Sequence, residues 1–350
     1  MIKYTFKWIP PMFRQKYKKN MRTLSRYVSI GIILMVILLT ACSKGEKTYR
    51  VGILTFKGGS FIRIAEGFKK KMADLGYVEG RNIVYDVQFM QFDPEMDRQT
   101  LTKFIGDKVD LVFSFPTEPT ATAKAILSGT GIPVLFALAG IEGTDLVENI
   151  RQPGNGITGV RTPAVDTTLK RLEFLKELKP SIKRVLILYN PEYPLIAPTL
   201  EKLRPLAKSL EITLVEKQVD TPQAVQTALQ KRSALEEIGV DAILDVPDGV
   251  THTSDSIKAI IQFGKQHKIP FAATGSFEED QGATFSYGPD FFDAGTLAAA
   301  LAHKIFQGIP AGTIPVATPE AHLKIDIGAL KQTGLTPSKG MMAMATKIVD

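Results

Sequence analysis

Four short stretches carry residue types able to hold a small polar molecule. They are Phe56-Lys57-Gly58-Gly59-Ser60, Phe115-Pro116-Thr117-Glu118, Asn190-Pro191-Glu192-Tyr193 and Pro247-Asp248-Gly249. Gly59 and Ser60 offer main-chain N–H groups and a hydroxyl at an expected helix start, and Thr117 does the same at another, a setting for a carboxylate or other anion. Asp248 and Asp290 offer partners for an ammonium group, with Asn190 as a further polar contact. Phe56, Phe115, Tyr193 and Tyr287 offer flat apolar walls. Together these groups suit a small zwitterion. Each also suits a plainer role: Ser60 and Thr117 as helix caps, the rings as core, the acids as caps or solvated loop groups.

Residue sets for bond-making chemistry do not stand out. The sequence has no Walker A loop, no G-x-G-x-x-G opening a helix after a strand, and no G-x-S-x-G elbow. His252, His267, His303 and His322 are scattered without metal-site spacing, and Cys42 is the single cysteine. The expectation is a binding protein with no catalytic residues, no cofactor and no metal. Glu118, Asp248 and Asp290, at the ends of expected strands, keep open an enzyme that uses paired carboxylates.

The elements that would position these groups alternate. Strands are expected at Tyr49–Thr55, Ile83–Phe89, Leu111–Ser114 and Pro133–Ala137. Between them, helices are expected after Ser60, over Glu95–Ile105 and near Pro119–Leu127. Phe61, Ile64, Ala65, Phe68, Met72 and Leu75 form a stripe at helical spacing. Each crossover is too long for a hairpin, which predicts parallel sheets covered by helices on both faces. Proline and glycine cluster at Gln152–Val160, as at a passage between lobes. The alternation then resumes. Strands are expected at Arg184–Tyr189, Thr213–Val219, Ala242–Val246 and Phe271–Ala273, with helices at Val165–Leu178, Thr199–Leu210, Pro222–Ile238 and Ser254–Gln266. Past Gly282 the pattern turns back, with a strand at Ala283–Ser286, a helix at Phe291–Gln307 and short strands near Ile314–Val316 and Leu323–Ile327. The fold class is α/β, with two similar doubly wound halves. In such sheets ligands bind outside the carboxyl ends of the strands, where all four stretches fall.

The first 41 residues distort the composition. The 350-residue chain has a formal charge of +7. Eight lysines and arginines and no acids lie in residues 1–41, so the remainder carries −1 and the case for a nucleic-acid partner lapses. A basic start, the apolar run Ile30–Leu39 and small residues before Cys42 form an export signal too short for a comfortable membrane span. Leu39-Thr40-Ala41-Cys42 resembles the lipobox of bacterial lipoproteins. That resemblance implies cleavage before Cys42, a lipid on its sulfur and a membrane-tethered globule outside the cytoplasm. A signal anchor is the alternative, and Met21 is a second candidate start. Residues 42–48 read as a tether. Without disulfides, roughly 300 residues must be held by their core.

Several stretches, taken in order, are similar to one family. Gly76–Ile83, Asp110-Leu111-Val112 leading to Thr117, Ile132–Phe136, Arg151–Val160, Ser286–Gly295 and Ile325–Thr336 all resemble segments of ABC-type substrate-binding lipoproteins, in the tryptophan/tyrosine branch. The resemblance spans residues 49–350. It implies a type I periplasmic-binding-protein fold with a hinge, three crossings and an interlobe cleft. Lobe 1 would hold 49–160 and 286–309, and lobe 2 would hold 161–285 and 310–350. It further implies a monomer that captures a small molecule, possibly an amino acid, by hinge closure and delivers it to an ABC permease. The loops after the first and fourth strands depart from the family pattern, as at Gly140-Ile141-Glu142, and leave the side-chain class of that amino acid open. A ligand sensor serving a receptor kinase is the rival role for the same fold.

Overall fold

The structure is a computed structural model that describes residues 47–56, 61–90, 94–274 and 282–349. Cys42, Gly59 and Ser60 lie outside the described residues. Tyr49–Asp350 forms one compact unit.

The first sheet contains β1 (Tyr49–Phe56), β2 (Ile83–Met90), β3 (Leu111–Ser114), β4 (Val134–Ala139) and β5 (Ile157–Arg161). Its order is β2-β1-β3-β4-β5, all parallel. Alternation along the strands splits the core in two. Ile53, Phe113 and Leu135 face one layer; Leu54, Val112 and Phe136 face the other. Both faces of β3 and β4 are buried, and these central strands are almost wholly apolar, while the edge strand β2 carries Asp86 and Gln88. Helices α1 (Phe61–Asp74), α2 (Pro94–Gly106) and α3 (Thr117–Leu127) make the crossovers.

The second sheet repeats the plan with β6 (Arg184–Tyr189), β7 (Thr213–Gln218), β8 (Ala242–Leu244), β9 (Phe271–Ala273), β10 (Phe285–Pro289), β11 (Ala321–Asp326) and β12 (Ala345–Val349). Its order is β12-β11-β10-β9-β8-β6-β7, parallel except for the antiparallel pair β10–β11. Its helices are α4 (Ala164–Leu178), α5 (Ile196–Ser209), α6 (Pro222–Ser233), α7 (Ser254–His267) and, after α8, the short α9 (Ile327–Thr333) and α10 (Lys339–Met344). Helix α8 (Phe291–Phe306) returns to the first sheet, where Ala294, Ala298 and Ala302 join its core. The α1–α8 approach depends on glycine. A Cβ on Gly67 would stand 2.0 Å from the carbonyl oxygen of Phe292, and one on Gly295 2.0 Å from that of Ile64.

The chain passes between lobes after β5, after β10 and after Ala317. Two boundaries differ from the sequence expectation. Ser286–Pro289 belongs to the second sheet, because β10 pairs with both β9 and β11. Residues 310–317 stay with the first lobe: the Thr158 hydroxyl donates to Ile314 O at 2.7 Å, and Ala317 bridges to Val160. The strand expected near Ile314–Val316 is reduced to that one bridge, and α6 stops at Ser233 rather than Ile238. At the first passage, Arg161 Nε donates to the Thr318 hydroxyl at 2.9 Å, and its guanidinium pairs with Glu142 and, at 3.2 Å, with Asp166. This side chain ties two passages together.

Candidate functional site

The carboxyl ends of the two sheets face a shared cavity of about 520 Å³. That volume lies within the usual range for small-molecule sites. Phe56 enters from the end of β1, and Pro116, Thr117 and Glu118 from the β3–α3 junction. The second lobe contributes Tyr193 and Leu195 before α5, Pro247–Val250 after β8, and Thr274 after β9.

One wall is aromatic. Phe56 meets Phe61 edge-on at 6.2 Å, and Phe61 stacks on Phe291 at 5.6 Å. Two helix starts also border the cavity. Helices α3 and α4 begin after Pro116 and Pro163, neither of which supplies a side-chain cap. The positive ends of both helix dipoles therefore lie at the edge of the cavity, beside the lining residues Thr117 and Ala164.

Arg171 is the cation of the cavity. It lines the space from α4, with Thr167 and Ala164 one and two turns earlier on the same face. Its side chain is fully buried, and burial lowers its pKa to about 10, partly offset by Asp245. Nη1 donates to Tyr287 O at 2.9 Å, while Nη2 donates to the Thr168 hydroxyl at 2.9 Å and to Asp245 O at 3.1 Å. Nε is buried without an acceptor, as is the Thr274 hydroxyl on the same cavity. Leaving such groups unpaired costs about 1–3 kcal/mol each.

The acids differ. Asp248 accepts three main-chain N–H bonds, from Asn190 at 2.6 Å and from Val250 and Thr251 at 2.8 Å each. It organises the β8–α7 loop, and desolvation raises its pKa despite those bonds. Asp245 is engaged by His252 at 2.9 Å and by the Thr274 N–H at 3.3 Å. Glu118 lines the cavity as the second residue of α3; desolvation raises its pKa, opposed by a hydrogen bond from its own main-chain N–H and then by one with Tyr193. Tyr193 crosses from the second lobe to Thr117 and Glu118, and its own pKa is raised, first by burial and then by Glu118. Thr117 in turn accepts the Gly140 N–H at 2.9 Å.

Of the sequence-derived ligand contacts, Phe56, Thr117, Tyr193 and Asp248 line the cavity. Asn190 does not; it reaches the site only through its N–H bond to Asp248. The Tyr287 ring packs edge-on against Phe174 at 5.4 Å, in the core of the second lobe. Phe115 is likewise core. Asp290 caps α8 through the N–H groups of Phe292 and Asp293 and lies 3.6 Å from Arg63, outside the lining. Sequence reasoning passed over Arg171, Thr274, Phe61 and Phe291. Arg171 left a signal: a lone cation beside Thr168, Leu172 and Leu175 on the buried face of α4. Among the described residues, no group of three or more His, Cys, Asp or Glu could hold a metal ion.

Residues 50–349 match the family described as ABC transporter substrate binding protein. A tyrosine-binding protein of Clostridioides difficile is 29% identical over 305 residues, covering 83% of this chain and 86% of that protein. Among solved structures, a conserved domain protein from Vibrio cholerae aligns with TM-score 0.75 and 25% identity, covering 86% of this chain and all of the other. An ABC domain from Streptococcus pneumoniae in complex with L-Trp aligns with TM-score 0.75 and 19% identity, covering 87% of this chain and all of the other. The ligand-free, open structure of a substrate-binding protein with adhesive properties from Clostridium difficile aligns with TM-score 0.67 and 23% identity, over 86% and 99% of the two chains.

Proposed function

The chain belongs to the ABC transporter substrate-binding protein family, and from that premise we propose that it captures an amino acid with an aromatic or large apolar side chain for import. Proteins of this family bind solutes outside the cytoplasm and perform no catalysis. The observation that carries the ligand class is the Arg171 guanidinium on the lining of the cavity. A cation on the lining, with the starts of α3 and α4 bordering the same space, suits a carboxylate. The wall of Phe56, Phe61 and Phe291 calls for an apolar body attached to it. The tyrosine-binding relative supports the same class.

Capture works by rotation of the lobes about the three passages. A ligand that touches both lobes binds the closed form better and shifts the population towards it. The closed form then docks on an ABC permease. A lipid on Cys42 keeps the protein at the membrane surface. Cys42→Ser should release the protein from the membrane fraction; full retention would contradict the anchor.

Thermal unfolding of the purified protein against amino acids, sugars, nucleosides and inorganic anions tests the ligand class. A ligand at a hundred times its Kd stabilises the folded form by about 2.7 kcal/mol. Upward shifts with L-tyrosine or L-tryptophan are expected. A shift confined to sugars or nucleosides would overturn the amino-acid reading and leave the transport role.

A further inference from the structure

Two carboxyl groups on the cavity wall look equivalent in sequence and differ in their surroundings. Asp248 is committed to its own loop by three main-chain N–H bonds. Glu118 is held differently. It is desolvated within a largely apolar cavity, and its partners are its own main-chain N–H and the neutral hydroxyl of Tyr193. Among the described residues, no lysine, arginine or histidine forms an ion pair with it. Its own N–H and the helix dipole at the start of α3 offset part of the cost of burying its charge. A carboxylate in such a place gains most from a cation that arrives with the ligand and leaves with it.

We infer that Glu118 receives the ammonium group of the ligand, while Tyr193 approaches the same carboxylate from the other lobe. The inference rests on the amino-acid reading and assigns its second pole: Arg171 for the carboxylate, Glu118 for the ammonium. Glu118 belongs to the first lobe and Tyr193 to the second, so one hydrogen-bonded group joins ligand charge to lobe contact. Asp248, which the sequence offered for this role, holds the floor of the site instead.

Three probes separate the poles. L-Tyrosine carries both charges, tyramine only the ammonium, and 3-(4-hydroxyphenyl)propionate only the carboxylate. Their affinities are measured by calorimetry for the full protein, for Glu118→Gln and for Glu118→Asp. Glu118→Gln is expected to weaken L-tyrosine and tyramine at least tenfold and to leave the propionate unchanged or tighter. Glu118→Asp, which keeps the charge, is expected to retain preference for the amines and serves if the Gln variant does not fold. Equal weakening of all three probes, or of none, would overturn the assignment while the amino-acid reading stands. Failure of the unaltered protein to bind L-tyrosine or L-tryptophan would overturn both.

Discussion

Glu118 imposes an energetic cost on the free protein, and the sign of that cost can be worked out. Burial raises its folded-state pKa above the unfolded value. Between those two values the unfolded chain releases the proton and the folded chain keeps it. Stability therefore falls as pH rises from the unfolded pKa through the folded one, and the penalty is constant above it. Glu118→Gln removes this titration. Its Tm is expected to exceed that of the parent at pH 7, on the order of 2 °C, with the gain shrinking towards pH 4. Equal or lower Tm at pH 7 would show that the carboxylate is already well solvated or paired. A residue that lowers stability while lining a cavity fits a binding role. At this scale the sequence was partly legible. Thr117, Tyr193 and Asp248 were found because they follow strands. Arg171 was not, because a cation on a helix stripe reads first as a solvated face. Asp290 shows the opposite case, since an acid before Phe291-Phe292-Asp293 is also a good helix cap, and capping is what it does.

The site is walled by elements that pack closely behind it. Helices α1 and α8 bring Phe61 and Phe291 to the aromatic wall, and both depend on the Gly67–Gly295 approach. A side chain at Gly295 meets the main chain of Ile64 and cannot be relieved by a rotamer change. Gly295→Leu should therefore destabilise the protein by about 1–3 kcal/mol or more in denaturant unfolding, and should also disturb ligand binding. Unaltered stability would mean that the two helices separate at little cost. Most strands were readable because their apolar runs are bounded by turns and separated by helix-length stretches. Helix α10 and strand β12 were not, because both are short and largely exposed, so their patterns carry little burial signal. The return to the first lobe was misplaced for a related reason. Ser286–Pro289 is a short strand whose sheet is decided by partners far along the chain, and no local pattern records them.

At the scale of the molecule, two sheets of the same order meet at their carboxyl ends, and the cleft follows from that plan. The alternation in the sequence was enough to give two α/β halves. The meeting of their loops came only with the structure, because it depends on three passages and on contacts across the cleft. Tyr193 on Thr117 and Glu118 is one such contact, and Leu195 packed at Gly140 is another. Arg161 braces the passages by joining Thr318, Glu142 and Asp166. These contacts describe lobes drawn together, and a ligand that touches both should make that arrangement dominant. Small-angle X-ray scattering of the protein with and without saturating L-tyrosine tests capture between the lobes most directly. A smaller radius of gyration with ligand is predicted, and it should be absent with a sugar that does not bind. Saturating binding with an unchanged radius of gyration would contradict hinge closure around the interlobe cavity.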